Sequence, residues 1–168
     1  MRVETLAENL LFSTVRIEAS GSGRNSVGTG FVFAYESEAL GENPVYFMVT
    51  NKHVIRDASD GMFVLIEHDG NGNPLLGHAI KIPILRFEDH WHVHPNSDVD
   101  VAVMYLQLLM DHVENPGDPP VHARTYVRPI GKNHIATPEQ LDDLDAVEEV
   151  MFIGYPDNLY DPLNLTPS

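Results

Sequence analysis

The chain has 168 residues and a hydrophobic content of 43%, which fits one globular domain, or one domain and part of another. It contains no cysteine, which excludes disulfides, thiolate nucleophiles and metal sites built on sulfur. The formal charge of −15 makes nucleic acid an unfavourable partner, because such a surface repels phosphates. We identify no signal peptide and no stretch with the length of a membrane span, so we expect no membrane partner and a cytoplasmic location.

Short apolar runs separated by turn residues occupy most of the chain up to residue 110. A first strand is predicted over Phe12–Ala19, and Ser20–Gly30 is predicted to be a glycine- and serine-rich loop. Later strands are predicted over residues 30–36, 45–50, 61–68, 74–82 and 100–108. The stretch Asp69–Pro74 is typical of a hairpin turn. Short strands at regular spacing indicate an all-β fold, as an antiparallel barrel or sandwich.

The pattern changes after residue 110. A segment with three prolines and a glycine follows, which is typical of a linker. Thr137 as N-cap, Pro138 at the first helical position and Gln140 three residues after the cap predict a short helix. Ala146–Pro156 is predicted to return to strand. The chain is therefore expected to have three parts: a first β-barrel over 1–110, a linker over 111–124 and a partial second barrel over 125–168.

His53 and Asp100 are the candidate catalytic residues. His53 comes just after a predicted strand, and Asp100 stands at the head of another one. In a serine hydrolase, an imidazole takes the proton of the serine hydroxyl while a buried carboxylate holds the other ring N–H. Spacing alone does not show that the two side chains meet, so a packing role for His53 is the alternative interpretation.

Four motifs in order resemble those of trypsin-like serine peptidases: VGTGFVF, VTNKHVI, DVDVAVMYL and FIGYP. The similarity covers about residues 10–160 and is greatest to the bacterial, disulfide-free branch. It implies two six-stranded antiparallel barrels with the active site between them, the first barrel being complete in this chain. It also implies that His53 is the general base and that Asp100 orients it, with Asp98 as the competing carboxylate. The implied activity is hydrolysis of protein or peptide substrates, without a cofactor.

The chain departs from this family at the nucleophile. The family carries its serine in a Gly-x-Ser-Gly motif after the Gly-Tyr-Pro strand, and the sequence has no such motif there. The oxyanion hole and the specificity pocket belong to the same region. We therefore expect the amino-terminal part of a serine endopeptidase, inactive alone, with a further segment or chain completing the second barrel. Ser22, in a Gly-Ser-Gly stretch, is predicted to be a loop residue, and Ser168 has no supporting pattern.

Two other functions stay open. One is a catalytically inactive pseudo-peptidase that binds peptides or proteins. The other is a metal-binding β-protein, because His90, His92 and His94 alternate and would share one face of a strand. A half-exposed strand also carries such histidines without a metal, and we predict no metal site. The stretch DGNGNP begins like a calcium loop, but Ile80 stands where a bidentate acid is required.

Overall fold

The computed structural model describes residues 3–37, 43–111, 118–155, 160–161 and 166–167. The strands are β1 Thr14–Gly21, β2 Arg24–Tyr35, β3 Val45–Thr50, β4 Asp60–His68, β5 Pro74–Leu85, β6 His92–Val93, β7 Ala102–Tyr105, β8 Ile130–Gly131, β9 Tyr160–Asp161 and β10 Thr166–Pro167. The α-helices are α1 Leu6–Leu11, α2 Lys52–Ile55, α3 Gln107–Met110 and α4 Pro138–Asp142. Short 3₁₀ turns cover Phe87–His90, Val121–Ala123 and Lys132–His134.

One eight-stranded sheet dominates the described residues, in the order β5-β4-β1-β2-β3-β7-β6. Neighbours along this path are antiparallel, while β8 adds to β2 in parallel. The predicted all-β, mostly antiparallel fold is confirmed. The predicted complete barrel is not, because the sheet ends at β5 and β6 without closing. Between these two strands the chain turns inward and buries Phe87 and Trp91 instead of continuing the hydrogen-bonded ladder.

The predicted loop over Ser20–Gly30 is wrong. Only Ser22 and Gly23 leave the strands, both with positive φ angles, of 47° and 77°. This is the conformation of a tight two-residue hairpin turn, which keeps the twist of β1 and β2 matched. The other residues of the stretch pair across the two strands, from Gly21 with Arg24 onwards.

Glycines inside β2 are required by close packing rather than by flexibility. A Cβ atom at Gly28 would lie 2.6 Å from the Val54 side chain. A Cβ at Gly30 would lie 2.7 Å from the sulfur of Met48. Composition suggested a loop because glycine is frequent in turns, whereas here it makes room for the interior.

The main core is formed by buried side chains of the sheet strands, of α2 and of the 3₁₀ turns. Phe63, Phe87 and Trp91 form an edge-to-face cluster with ring centroids 5.5 to 6.2 Å apart. Such pairs add to the stabilisation from burial alone. The other fully buried large side chains belong to the same core: Ile17, Met48, Ile55, Leu106, Val15, Val32 and Val121.

The segment after residue 120 packs on this sheet. Val121 is buried in the core, and Tyr126 donates its backbone N–H to the Ile66 carbonyl at 2.7 Å. The Tyr126 ring meets Phe12 edge-on at 5.0 Å. Residues 112–117 of the predicted linker lie outside the described residues, and the three-part division stays a prediction.

The predicted capped helix is confirmed as α4. Gln140 donates its backbone N–H to the Thr137 hydroxyl at 3.2 Å, and Thr137 donates its backbone N–H to the Gln140 side chain at 2.9 Å. An equivalent box between Thr5 and Glu8 begins α1, which was not predicted. None of the helices in the described ranges has the length and apolar character needed to cross a membrane.

The predicted strand over Ala146–Pro156 is wrong for residues 146–155, and Pro156 lies outside the described residues. A β-branched segment becomes a strand only when a neighbouring strand pairs with its backbone. No strand of the described residues pairs with it, and Val147 and Phe152 are 90% and 88% exposed. The last residue of this stretch is anchored, because Tyr155 donates its backbone N–H to the Thr29 hydroxyl at 2.8 Å. Burial of the Tyr155 ring raises its pKa to about 12, so the phenol stays neutral.

Gly28→Ala is expected to destabilise the fold by about 1–3 kcal/mol, because the added methyl overlaps Val54 and must displace α2. Denaturant unfolding followed by circular dichroism measures this loss. Gly131→Ala is the matched control: its Cβ would come no closer than 3.2 Å, to the end of the Asn133 side chain. Equal losses in the two variants would contradict the packing role of Gly28.

Candidate active site

The pairing of β3 with β7 brings two chain segments to one end of the sheet. Thr50 and Ala102 form the last pair of this ladder. His53 comes three residues after Thr50, and Asp100 two residues before Ala102, so both leave the sheet at the same end. Asp100 therefore precedes β7, whereas the sequence placed it at the head of a strand. That strand was also predicted to reach residue 108, but the chain turns into α3 at Gln107.

The single turn of α2 presents His53 to the surface. Its neighbours Val54 and Ile55 are buried in the core, which holds the turn against the sheet. Ser26 on β2 donates its hydroxyl to the Val54 carbonyl at 3.2 Å. With the next two side chains directed inward, the His53 side chain remains 60% exposed.

Two hydrogen bonds join His53 to Asp100. The distance from Nδ1 of His53 to Oδ2 of Asp100 is 2.5 Å. The backbone N–H of His53 donates to the other carboxylate oxygen, Oδ1, at 3.2 Å. An ionised carboxylate only accepts, so the proton of this contact belongs to Nδ1. The ring is thereby held in the tautomer whose Nε2 can accept a proton from another group.

The hydrogen bond from the His53 ring is the largest influence on the Asp100 carboxyl. Together with the backbone N–H and the charge of His53, it lowers the pKa of Asp100 below its ordinary value of 3.8, against a smaller opposing effect of desolvation. The carboxylate is therefore ionised at neutral pH. The Asp100 side chain is 47% exposed, however, whereas a buried carboxylate was expected from serine hydrolase chemistry.

Asp98, the competing carboxylate, is engaged within its own loop. Its backbone N–H donates to the Asn96 side chain at 3.0 Å, and its carboxylate accepts from the Ser97 hydroxyl at 3.4 Å. Between the two candidates, Asp100 is the one that the structure brings to His53.

The histidines of HWHVH do not lie on one continuous strand. His90 ends a 3₁₀ turn and bonds to the Leu85 carbonyl through Nε2, while His94 accepts the Asn96 N–H through Nδ1. Only His92 lies in β6. Throughout the described ranges, no three histidine or acidic side chains converge as a metal site requires. The alternating spacing therefore does not assemble the three-histidine cluster that the metal-binding alternative needs.

Asn51 and Lys52 also belong to the site, although the sequence pattern did not single them out. The Asn51 side-chain amide donates to the Asp100 carbonyl at 2.7 Å. The Lys52 ammonium donates to the Asn96 carbonyl at 2.7 Å. Their position directly before His53 is the one available signal, and it does not reveal a partner 49 or 44 residues away.

A comparison with protein-family models, curated proteins and solved structures finds no match to this chain. The geometry of the site is therefore the basis for any statement about function.

The lowered pKa of Asp100 predicts an acid-sensitive contribution to stability. Because the folded-state pKa lies below the ordinary value, the stabilisation is present above pH 3.8 and is lost as the pH falls through the folded-state pKa. Asp100→Asn should therefore be less stable than the native protein at neutral pH, and the difference should shrink below pH 3.8. Denaturant midpoints measured across this range test it. Asp98→Asn is the matched control, and an identical pH profile for both variants would refute the assignment.

Proposed function

We propose that this chain is the part of a trypsin-like serine endopeptidase that carries the general base, His53, and the carboxylate that orients it, Asp100. The observation that carries the proposal is the hydrogen bond between His53 Nδ1 and Asp100 Oδ2. In Ser-His-Asp catalysis the general base is a histidine whose Nδ1 is held by a carboxylate. The substrate would be a protein or peptide.

The chemistry of each group follows from this arrangement. With Nδ1 bound to Asp100, Nε2 of His53 would take the proton of a serine hydroxyl as that oxygen attacks the peptide carbonyl. The same nitrogen would then deliver the proton to the leaving amine, which breaks the peptide bond and leaves an acyl-enzyme. Asp100 would stay ionised throughout and stabilise the imidazolium. Its lowered pKa supports this role.

The fold supports the proposal in a coarser way. Six strands of four or more residues form one antiparallel path, and the candidate pair lies at the end of two of them. The resemblance implies a six-stranded barrel with the pair at its rim. Because the sheet is open at β5 and β6, the closed barrel remains a proposal.

The nucleophile and the oxyanion hole would come from residues outside this sequence, either in a longer chain or in a second chain. The half-exposed His53 and Asp100 leave room for such a contribution. An oxyanion needs two or more donors aimed at one point, and in this family they accompany the serine.

A binding role without catalysis is the second candidate, and the exposed apolar residues between α4 and Tyr155 favour it. These side chains are all strongly exposed: Val147, Val150, Met151 and Phe152. Several strongly exposed apolar side chains within a short segment are typical of interaction sites. A binding module predicts a stable monomer or a defined complex of the 168-residue chain, which sedimentation velocity detects.

The peptidase proposal is tested by fluorophosphonate labelling. The 168-residue chain alone is expected to remain unlabelled and not to digest casein, since its sequence has no Gly-x-Ser-Gly motif. Where the gene encodes further sequence after Ser168, the extended chain should be labelled at a serine in a Gly-x-Ser-Gly motif, as should the 168-residue chain mixed with a second chain that carries this motif. Asp100→Asn in the active form should lower kcat by roughly 10⁴-fold, the scale seen when a triad aspartate is replaced.

Asp98→Asn in the active form is the control and should keep most of the activity, because Asp98 does not contact the ring. Serine labelling of the 168-residue chain would refute the predicted inactivity. Downstream sequence without such a motif, together with a well-defined inactive complex, would favour the binding module.

A further inference from the structure

Three consecutive residues before and at the candidate base bind the loop that carries Asp100. Asn51 donates its side-chain amide to the Asp100 carbonyl at 2.7 Å, and Lys52 donates its ammonium to the Asn96 carbonyl at 2.7 Å. His53 completes the set with its backbone and ring contacts to the Asp100 carboxylate. The β3–α2 connection thus holds both ends of the loop 96–100.

Asp100 needs these hydrogen bonds because it lies outside the ladder between β3 and β7. The last pair between β3 and β7 is Thr50 with Ala102, two residues further along. The internal bonds of the loop are local: Asn96 accepts the backbone N–H groups of Val99 and Asp98. Those bonds shape the turn, but they do not join it to the α2 side of the site.

The side chain of Asn51 does not form the hydrogen bond that is usual at its position. It occupies the N-cap of α2, where asparagine normally accepts an N–H from the first helical turn. Here it forms no capping hydrogen bond, and its amide is directed to the Asp100 carbonyl instead. An Asn that served only to start the helix would be expected to cap it.

We propose that Asn51 is a positioning residue that fixes the Asp100 backbone so that its carboxylate meets His53, with Lys52 securing the other end of the loop. The inference rests on the proposed function, since the pair it positions is the proposed catalytic pair. The Asp100 carbonyl and carboxylate belong to the same residue. Holding the carbonyl therefore restricts rotation of the backbone that would swing Oδ2 away from Nδ1.

The test uses the 168-residue chain and needs no nucleophile. Proton NMR of ¹⁵N-histidine-labelled protein detects the strongly deshielded Nδ1 proton of a histidine bonded to a carboxylate, and its exchange with water reports how often that bond opens. Asn51→Ser keeps an N-cap residue but is too short to reach the Asp100 carbonyl. Loss of the hydrogen bond from Asn51 to the Asp100 carbonyl should speed the exchange of the His53 Nδ1 proton with water about fivefold. This is the effect expected for the net contribution of one hydrogen bond.

Two further variants sharpen the result. Asn51→Leu keeps the size but removes the donor, and it should show the same acceleration. Asn71→Ser, in the exposed turn between β4 and β5, is the matched control and should leave the exchange unchanged. Thermal unfolding of each variant confirms that it is folded.

Faster exchange in both Asn51 variants supports the proposal. Unchanged exchange in folded Asn51→Ser, whatever Asn51→Leu does, would overturn it, because the hydrogen bond from Asn51 to the Asp100 carbonyl would then have no effect on the contact between His53 and Asp100. Absence of the deshielded proton in the native chain would overturn it as well. Failure of the fluorophosphonate test would leave the exchange result standing, so the two proposals fail separately.

Discussion

The ladder between β3 and β7 is the contact on which the candidate site depends. It is only four residue pairs long, from Phe47–Tyr105 to Thr50–Ala102. It nevertheless sets the distance between two segments that lie far apart in sequence. Thr50 is buried at its end and donates its hydroxyl to the Thr29 carbonyl on β2, which ties the end of the ladder to the neighbouring strand. The hydrogen bonds of His53 and Asp100 then complete an arrangement that the backbone has already brought together.

The sequence predicted those parts of the fold that local patterns determine. Alternating and β-branched runs indicated the long strands, and the Thr137–Gln140 spacing indicated α4, because both signals act within a few residues. The same type of signal was present at Thr5 and Glu8 and would have revealed α1. In contrast, the composition of Ser20–Gly30 was misleading, since glycine in β2 relieves crowding against Val54 that only the tertiary structure creates.

The candidate site was predictable as a set of residue types but not as a set of contacts. Resemblance to a family motif singled out His53 and favoured Asp100 over Asp98, whereas the contact between the two side chains is visible only in the geometry. The role of Asn51 could not be inferred, because its partner carbonyl lies 49 residues away and any residue could supply it. The strand prediction for residues 146–155 was wrong for a related reason. The strand-forming character of these residues is local, but a strand also needs a neighbouring strand to pair with.

The exposed apolar segment before Tyr155 has a consequence for the colloidal behaviour of the protein. Acidic residues directly precede or interrupt it, among them Asp145, Glu148 and Glu149. At neutral pH the repulsion between these charges opposes association of the molecules, as charged residues that flank an aggregation-prone segment commonly do. The sequence corresponds to an isoelectric point of about 4.7. Acidification towards this pH removes the repulsion, so that the exposed side chains of Val147 and Phe152 can associate with those of other molecules. Buffers well above that pH and of low ionic strength are therefore the conditions that preserve a dispersed preparation.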